Sequence, residues 1–361
     1  MSKRVKRTSL ASLAKELGVS RTTVSNAYNH PEQLSASLRE RILETAERLG
    51  YPGPDPTARS LRTKRVNALG VLLTEHLTYA FEDRASLDFL AGMAEASYGS
   101  QTSMTLVPVG PNTTDVLSAR QLVNSAVVDG FVVYSVAKND PYLEAAKTRG
   151  LPIVICDQPA DDFELPFVGI DDRAAIAPAA RALVDAGHTK IGILCIRLDT
   201  VPNNGPVSAE RLDNAHHHVQ RSRVLGALDV FAEAGIDRAS VPVVERHIND
   251  PRNNVDAARQ LLEANPELTA VLCSTDTMAF GVLEYARGKG LSVPGDLSVT
   301  GFDGIEPALA MGLSTVIQPN KEKGLNAGRM LASLLDDETA AKRVLLETTY
   351  NEGATIAAPR A

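Results

Sequence analysis

The sequence predicts an α/β chain in two parts: a small N-terminal head of three helices with a helix-turn-helix, then a large body of two doubly wound α/β lobes. Three observations carry this expectation. Charge divides the chain, with thirteen Lys and Arg against six Asp and Glu in residues 1–65, and 24 against 38 in the other 296 residues. Helical periodicity fills the basic part in short runs punctuated by Gly and by polar caps. Beyond Asn67, strand-like apolar runs alternate with helical stretches. A cationic module on an acidic body suits contact with a polyanion at one end only.

The head reads in order. Leu10, Ala11, Leu13, Ala14 and Leu17 form a helical stripe that Thr8 or Ser9 can cap, and Gly18 stops it cheaply in the left-handed conformation. Ser20 caps a second helix over Arg21–Asn29, with Val24 and Ala27 turned inward. Ser37-x-x-Glu40 is a capping box for a third helix with Leu38, Ile42, Leu43, Ala46 and Leu49 as its stripe, ended by Gly50. The second helix exposes Arg21, Thr22, Ser25, Asn26 and Asn29, side chains suited to base edges and phosphates, or alternatively a plain solvated face. Tyr51–Pro56 is a stiff, Pro-rich connector. Thr57–Arg65 is basic, with Leu61 its single large apolar residue. It is too short for a lone helix in water, so it reads either as a segment that folds on DNA with Leu61 as a minor-groove wedge, or as a charged linker.

In the body, strands are expected at Ala68–Leu73, Thr105–Val109, Gly130–Tyr134, Ile153–Cys156, Ile191–Ile196, Val241–Glu245, Ala270–Ser274, Leu297–Phe302 and Thr315–Gln318. Helices between them include Leu87–Ser97, Pro141–Arg149, Arg173–Ala186, Arg221–Ala234, Asn253–Ala264, Met278–Lys289 and Lys321–Leu335. The resulting domain plan is residues 1–52 as head, 53–66 as hinge and 67–361 as body. The N-lobe covers about 67–160 and 304–340, the C-lobe about 161–303 and 341–361. Ligands in such sheets sit at the carboxyl ends of the strands. That rule selects Tyr79, Phe81, Asp157, Asp276 and Asp303, where carboxylates can accept hydroxyl hydrogen bonds and an aromatic can stack.

Several classes lose support. No Gly-x-Gly-x-x-Gly or Walker A loop follows the first strand, and no nucleophile elbow or His-Glu-x-x-His helix appears, so neither an enzyme nor a nucleotide cofactor is expected. Cys156, Cys195 and Cys273 lie apart in apolar runs and read as reduced core thiols. His216-His217-His218 sits in a polar stretch, Asp199–His218, that reads as a surface insertion without metal. Asp161-Asp162 and Asp171-Asp172 read as loop charges and helix caps. No secretory signal or membrane span is read, which places the chain in the cytoplasm and argues against a transport binding protein.

Val19-Ser20-Arg21-Thr22-Thr23-Val24-Ser25-Asn26, Asn29, Ser35, Arg39-Glu40-Arg41-Ile42, Ala46, Leu49-Gly50-Tyr51 and Ala58-Arg59-Ser60-Leu61 together resemble the lac-repressor family of bacterial transcription regulators. The resemblance covers the whole head and hinge. It implies that Arg21, Thr22 and Asn26 read bases, that Ser20, Thr23, Ser25 and Asn29 position phosphates or structure, that Arg59 belongs with the DNA-binding residues, and that Leu61 intercalates. It implies a body of periplasmic-binding-protein type with a small-molecule effector, sugar-like or nucleoside. Arg223 in Arg-x-x-Gly and Asp276 match the family's effector-contacting positions. The implied partners are palindromic operator DNA and a second copy of the chain in a homodimer, with a tetramer left open.

Overall fold

The computed structural model describes residues 8–55, 60, 63–73, 77–100, 102–108, 110, 115–336 and 342–360. The sequence-selected Arg59 and Leu61 lie outside the described residues, as does the side chain of Tyr79. The chain resolves into two compact units, Met1–Val66 and Asn67–Ala361.

In the first unit, α1 (Leu10–Leu17), α2 (Arg21–Asn29) and α3 (Ala36–Arg48) share one small core of Leu13, Ala14, Val24, Ala27, Ile42, Ala46 and Tyr51. Ser9 caps α1 and exchanges bonds with Ser12, and Gly18 ends it at φ 67°. A residue with a Cβ would be strained at that φ. The Ser20 hydroxyl caps α2 by accepting from the Thr23 N–H at 3.0 Å. The third cap differs from expectation: Ser35, not Ser37, caps α3, accepting from the Leu38 N–H at 3.4 Å. Both serines suit the role. The helix takes the earlier one because Leu34 is still extended, which leaves Ser37 inside the first turn.

The second unit follows the βα rhythm. Its elements are β1 (Ala68–Leu73), α4 (Leu77–Glu82), α5 (Arg84–Ala96), β2 (Ser103–Pro108), α6 (Val116–Ser125), β3 (Gly130–Tyr134), α7 (Pro141–Thr148), β4 (Ile153–Cys156) and β5 (Phe167–Gly169). There follow α8 (Asp172–Ala175), α9 (Ala177–Asp185), β6 (Ile191–Ile196), β7 (Gly205–Pro206), α10 (Ala209–Asp213), α11 (His218–Glu233) and β8 (Val243–Arg246). The chain continues through α12 (Pro251–Ala264), β9 (Ala270–Cys273), α13 (Asp276–Lys289), β10 (Ser298–Asp303), α14 (Glu306–Ala310), β11 (Ser314–Ile317) and α15 (Asn320–Leu335). It closes with β12 (Arg343–Leu345) and β13 (Thr349–Asn351).

Two sheets result, ordered β12-β5-β4-β3-β1-β2 and β13-β11-β10-β9-β6-β8-β7. All pairs are parallel except β7 with β8 and β11 with β13. Parallel sheets are covered on both faces, which is why β1 reads Ala-Leu-Gly-Val-Leu-Leu and is buried throughout. The three cysteines are free thiols inside these strands or their edges, all buried. Helices α5 and α15 lie so close that a Cβ on Gly92 would collide with the Lys321 carbonyl, and one on Gly324 with the Phe89 carbonyl. Among the described residues no helix is long and apolar enough to cross a membrane.

The lobe borders differ from the sequence plan. Phe167–Gly169 and Arg343–Leu345 pair with each other in the first sheet, so the N-lobe extends past residue 160 and recovers residues near 343. Ser314–Ile317 pairs with β10, so the C-lobe extends past 303. The chain therefore crosses between lobes after β5, after β11 and after β12. Three-residue strands carry too little periodicity to assign, and this is where the plan failed. The expected helix Arg173–Ala186 is split at Ile176, because Pro178 has no N–H for the preceding turn.

Candidate functional site

In the head, α2 presents the residues that the sequence selected. Arg21 and Thr22 are exposed, while Thr23, Ser25, Asn26 and Asn29 are half-buried. Thr23 is tied to Ser20 through hydroxyls 2.8 Å apart. The Asn29 amide donates to the Ser25 carbonyl at 3.0 Å and to its hydroxyl at 3.1 Å. Asn26 donates to Gln33 Oε1 at 2.8 Å. This division leaves Arg21 and Thr22 at the solvent face of the helix N-terminus, with a row of short polar side chains behind them. Such a surface can meet phosphates and base edges together.

In the body, a cavity of about 120 Å³ opens where the strands of both sheets end. Its polar lining comes from residues just past strand ends: Ser135 after β3, Asp157 and Gln158 after β4, Arg197 after β6, Thr275 after β9, Asp303 at the end of β10 and Gln318 after β11. Helices contribute Ser86, Gln220 and Arg223. Ser135, Asp157 and Asp303 have φ of 56°, 65° and 124°. Only Asp303 leaves the ordinary left-handed region, a strain of order 1–3 kcal/mol that its neighbours must hold. Gln318 does so, its N–H donating to the Asp303 carbonyl at 3.2 Å and its Nε2 to Oδ1 at 2.6 Å.

A buried chain of polar contacts runs through this lining. The Lys323 ammonium, fully buried on α15, lies 2.7 Å from Asp157 Oδ1 and donates to Gln318 Oε1 at 2.5 Å. Beyond Gln318 and Asp303 comes Arg223, whose Nη1 is 3.5 Å from Asp303 Oδ1 and donates to the Ser274 carbonyl at 2.9 Å. Its Nε donates to Asp172 Oδ1 at 2.8 Å, and its guanidinium lies 3.8 Å from the centroid of Phe302. Burial raises the Asp303 carboxyl well above the usual range, with Arg223 pulling the other way. Asp172 is raised for the same reason and opposed by the same cation. The expectation that Asp171-Asp172 serves as a simple cap is half corrected. Asp171 caps α8 by accepting from the Ala174 N–H at 3.1 Å, but Asp172 is buried as the Arg223 partner.

Three sequence-selected effector residues, Asp157, Arg223 and Asp303, meet at the cavity. Two others do not. Phe81 is 54% exposed on α4 and leaves the cavity wall to Ala80 and Asp83. Asp276 is fully buried and satisfied internally, accepting from the Ile305 N–H at 2.9 Å and from the Thr315 hydroxyl at 2.5 Å. Burial pushes its carboxyl up to about 6. Its neighbour Thr275 reaches the cavity instead. Helix geometry explains the exchange: Thr275 is the N-cap of α13 and Asp276 the first helical residue, so they point in different directions.

Sequence reasoning missed Tyr134, stacked on Phe89 at 4.0 Å between centroids, and Asp83, which caps α5 while lining the cavity. It also missed Gln158, Gln220, Gln318 and Lys323. The strand-end rule could have found Gln318, which directly follows Ser314–Ile317, and Gln158, one residue further on than Asp157. Lys323 gives no signal, since a lone Lys on a helix reads as solvated. Asp199–His218 is corrected as well: β7 extends the second sheet beside β8, and His217 is buried. Among the described residues no group of three His, Cys, Asp or Glu is placed to hold a metal ion. Asp161 and Asp162 pair with Lys138 and Lys147.

A helix-turn-helix head joined to a two-lobed α/β body with a polar cavity at the strand ends defines a class, the ligand-sensing DNA-binding regulators. Residues 9–53 match the model for bacterial regulatory proteins of the lacI family, and residues 180–356 match the periplasmic binding protein-like domain. The HTH-type transcriptional regulator IpsA of Corynebacterium glutamicum is 60% identical over 349 residues, 96% of this chain and 97% of its own length. A LacI-family transcriptional regulator from Corynebacterium glutamicum, known by its crystal structure, is 56% identical with a TM-score of 0.78, covering 96% of this chain and 98% of that one. The lac repressor dimer bound to operator and the anti-inducer ONPF shares the fold, at a TM-score of 0.79 and 21% identity over 98% and 100% of the two chains. This chain belongs to the LacI family of bacterial transcription regulators. Its relatives are regulators rather than enzymes.

Proposed function

We propose that the protein is a repressor that binds a palindromic operator as a homodimer, with its operator affinity set by a neutral, hydroxyl-rich effector in the body cavity. The carrying observation is the cavity lining. Three carboxylates, Asp83, Asp157 and Asp303, line it, while the cations nearest to Asp157 and Asp303, Lys323 and Arg223, are already engaged by protein acceptors. Such a lining accepts hydroxyl hydrogen bonds, which favours a sugar, polyol or nucleoside. Support for the dimer comes from the short reading helix, since two-fold pairing doubles a site of few base pairs. The lac repressor, of the same fold, is a dimer on its operator.

Arg21, Thr22 and Asn26 are assigned to bases, with Ser20, Thr23, Ser25, Asn29 and Arg59 assigned to phosphates or local structure. Leu61 is assigned as a wedge at a central pyrimidine–purine step, which unstacks most readily. The test selects the preferred duplex from a random pool and measures anisotropy at about 50 and 200 mM salt, where displaced counterions must produce a steep loss. Neutral sugars, polyols and nucleosides are then added, expecting one of them to shift affinity at least several-fold. Affinity indifferent to duplex sequence would defeat the operator reading, and unchanged binding by Leu61→Ala would remove the wedge.

A further inference from the structure

Of the three side chains assigned to bases, Asn26 alone is already engaged by another side chain. Its Nδ2 donates to Gln33 Oε1 at 2.8 Å, whereas Arg21 and Thr22 make no side-chain hydrogen bond among the described residues. Gln33 is brought there by the chain just past α2. His30 closes that helix, its N–H donating to the Asn26 carbonyl at 2.9 Å. Pro31 then opens a single 3₁₀ turn, Pro31–Gln33. In it the Gln33 N–H donates to the His30 carbonyl at 3.0 Å, and the Leu34 N–H to the Pro31 carbonyl at 3.2 Å. Proline fixes its own φ at one end of the turn. At the other end Leu34 packs against the core of the head. With both ends tied, Gln33, itself exposed, stands beside half-buried Asn26.

A carboxamide is a directed group, since its oxygen only accepts and its nitrogen only donates. With Nδ2 turned to Gln33, the Asn26 Oδ1 faces away and has no partner among the described residues. The reverse sense would let Oδ1 accept from Gln33 Nε2 and would turn Nδ2 outward. The two senses suit different bases. An outward oxygen accepts from adenine N6 or cytosine N4, and an outward nitrogen donates to guanine O6 and N7 or to thymine O4. Among the described residues no other side chain bonds to the Asn26 amide, so the choice between the senses lies with residue 33. A partner that holds the amide before contact also lowers the ordering cost of meeting a base.

We propose that Gln33 is a positioning residue for base recognition, holding the Asn26 amide with its oxygen outward so that Asn26 selects a base whose groove edge donates, adenine or cytosine. The proposal rests on Asn26 reading a base. It makes the polarity of residue 33, rather than Asn26 alone, the determinant of sequence preference at one position of the operator.

The full-length protein and its variants are used to select from a randomised duplex pool, and anisotropy is then measured on the selected duplex carrying each of the four base pairs at the position in question. Asn26→Ala identifies that position as the one where the selected motif flattens. There Gln33→Ala should cut discrimination about 3- to 10-fold, the worth of one neutral hydrogen bond. Gln33→Glu can only accept, so it should keep the preferred base pair, at lower affinity for every duplex because its charge faces phosphates. Gln33→Lys can only donate, so it should turn the Asn26 amide over and change which base pair is preferred. A role in the structure of the head alone would move all four affinities together and leave the preference in place. A preference that survives both Gln33→Ala and Gln33→Lys, or that Gln33→Glu changes in the same way as Gln33→Lys, overturns the proposal and leaves Asn26 as a base reader. A motif untouched by Asn26→Ala removes Asn26 from the bases, and the proposal falls with it.

Discussion

Replacing Arg223 with Met should be among the most costly single changes in the body. The guanidinium is 5% exposed and serves Asp172 at 2.8 Å, the Ser274 carbonyl at 2.9 Å and Asp303 at 3.5 Å, with Phe302 beneath it. Met fills much of the volume but leaves two buried carboxyls without their cation. Breaking such a pair costs about 3–5 kcal/mol, a large part of a typical stability of about 5–15 kcal/mol. The cost must depend on pH. Asp172 and Asp303 already sit above their unfolded values, and Arg223 is what opposes the rise. A carboxyl whose folded pKa is raised stabilises the fold fully below its unfolded pKa and loses that contribution as pH climbs through the folded value. Removing Arg223 raises both folded values further, so the loss should be larger near pH ~8 than near pH ~5. Trp is absent, so urea unfolding is best followed by far-UV circular dichroism. The triple variant with Asp172→Asn and Asp303→Asn should recover most of the loss, because neutral groups need no counter-charge. A cost below about 1 kcal/mol near pH ~8, or one equal at both pH values, would refute this account of the buried network.

Other expectations follow from the same reasoning. Arg21→Ala should reduce operator affinity by about 1–3 kcal/mol, and competition with random duplex should show how much of that is specific. Ser20→Ala should cost the head about 1 kcal/mol in thermal or urea unfolding, because the Thr23 N–H loses its cap. Gly324→Ala should destabilise the body by about 1–3 kcal/mol, since α15 would have to move off the Phe89 carbonyl, and a matching change at exposed Gly288 should not. Raising the pH from about 4 to about 6 should weaken the body through Asp276, whose folded carboxyl lies above its unfolded value, and Asp276→Asn should flatten that limb of the stability curve.

The head was almost fully legible, because its helices announce themselves through caps and stripes that act locally: Ser20, Gly18 and the Val24/Ala27 pair need no distant partner. The strand positions of the body were also foreseeable in outline, since buried parallel strands are written as continuous apolar runs. What escaped was decided by contacts between segments far apart in sequence. Lys323 looks like any surface lysine until Asp157 and Gln318 are brought to it. Asp276 looked like a ligand residue because its position matched, yet Ile305 and Thr315 take both of its oxygens. The polar stretch before α11 looked superficial because Glu245, which accepts from Arg211 and from the Leu198 N–H, lies 34 to 47 residues away.

The three crossings between lobes also order the birth of the protein. The head closes its core with Tyr51, within the first 66 residues, so it can fold as soon as it clears the ribosome. The first sheet, by contrast, waits for α15 and for β12 at Arg343–Leu345. At 5–20 residues per second, roughly 15–60 s of synthesis separate the two events. During that interval a finished DNA reader hangs from an unfinished sensor. A chain broken off late in translation would therefore yield a reading head without a completed sensor.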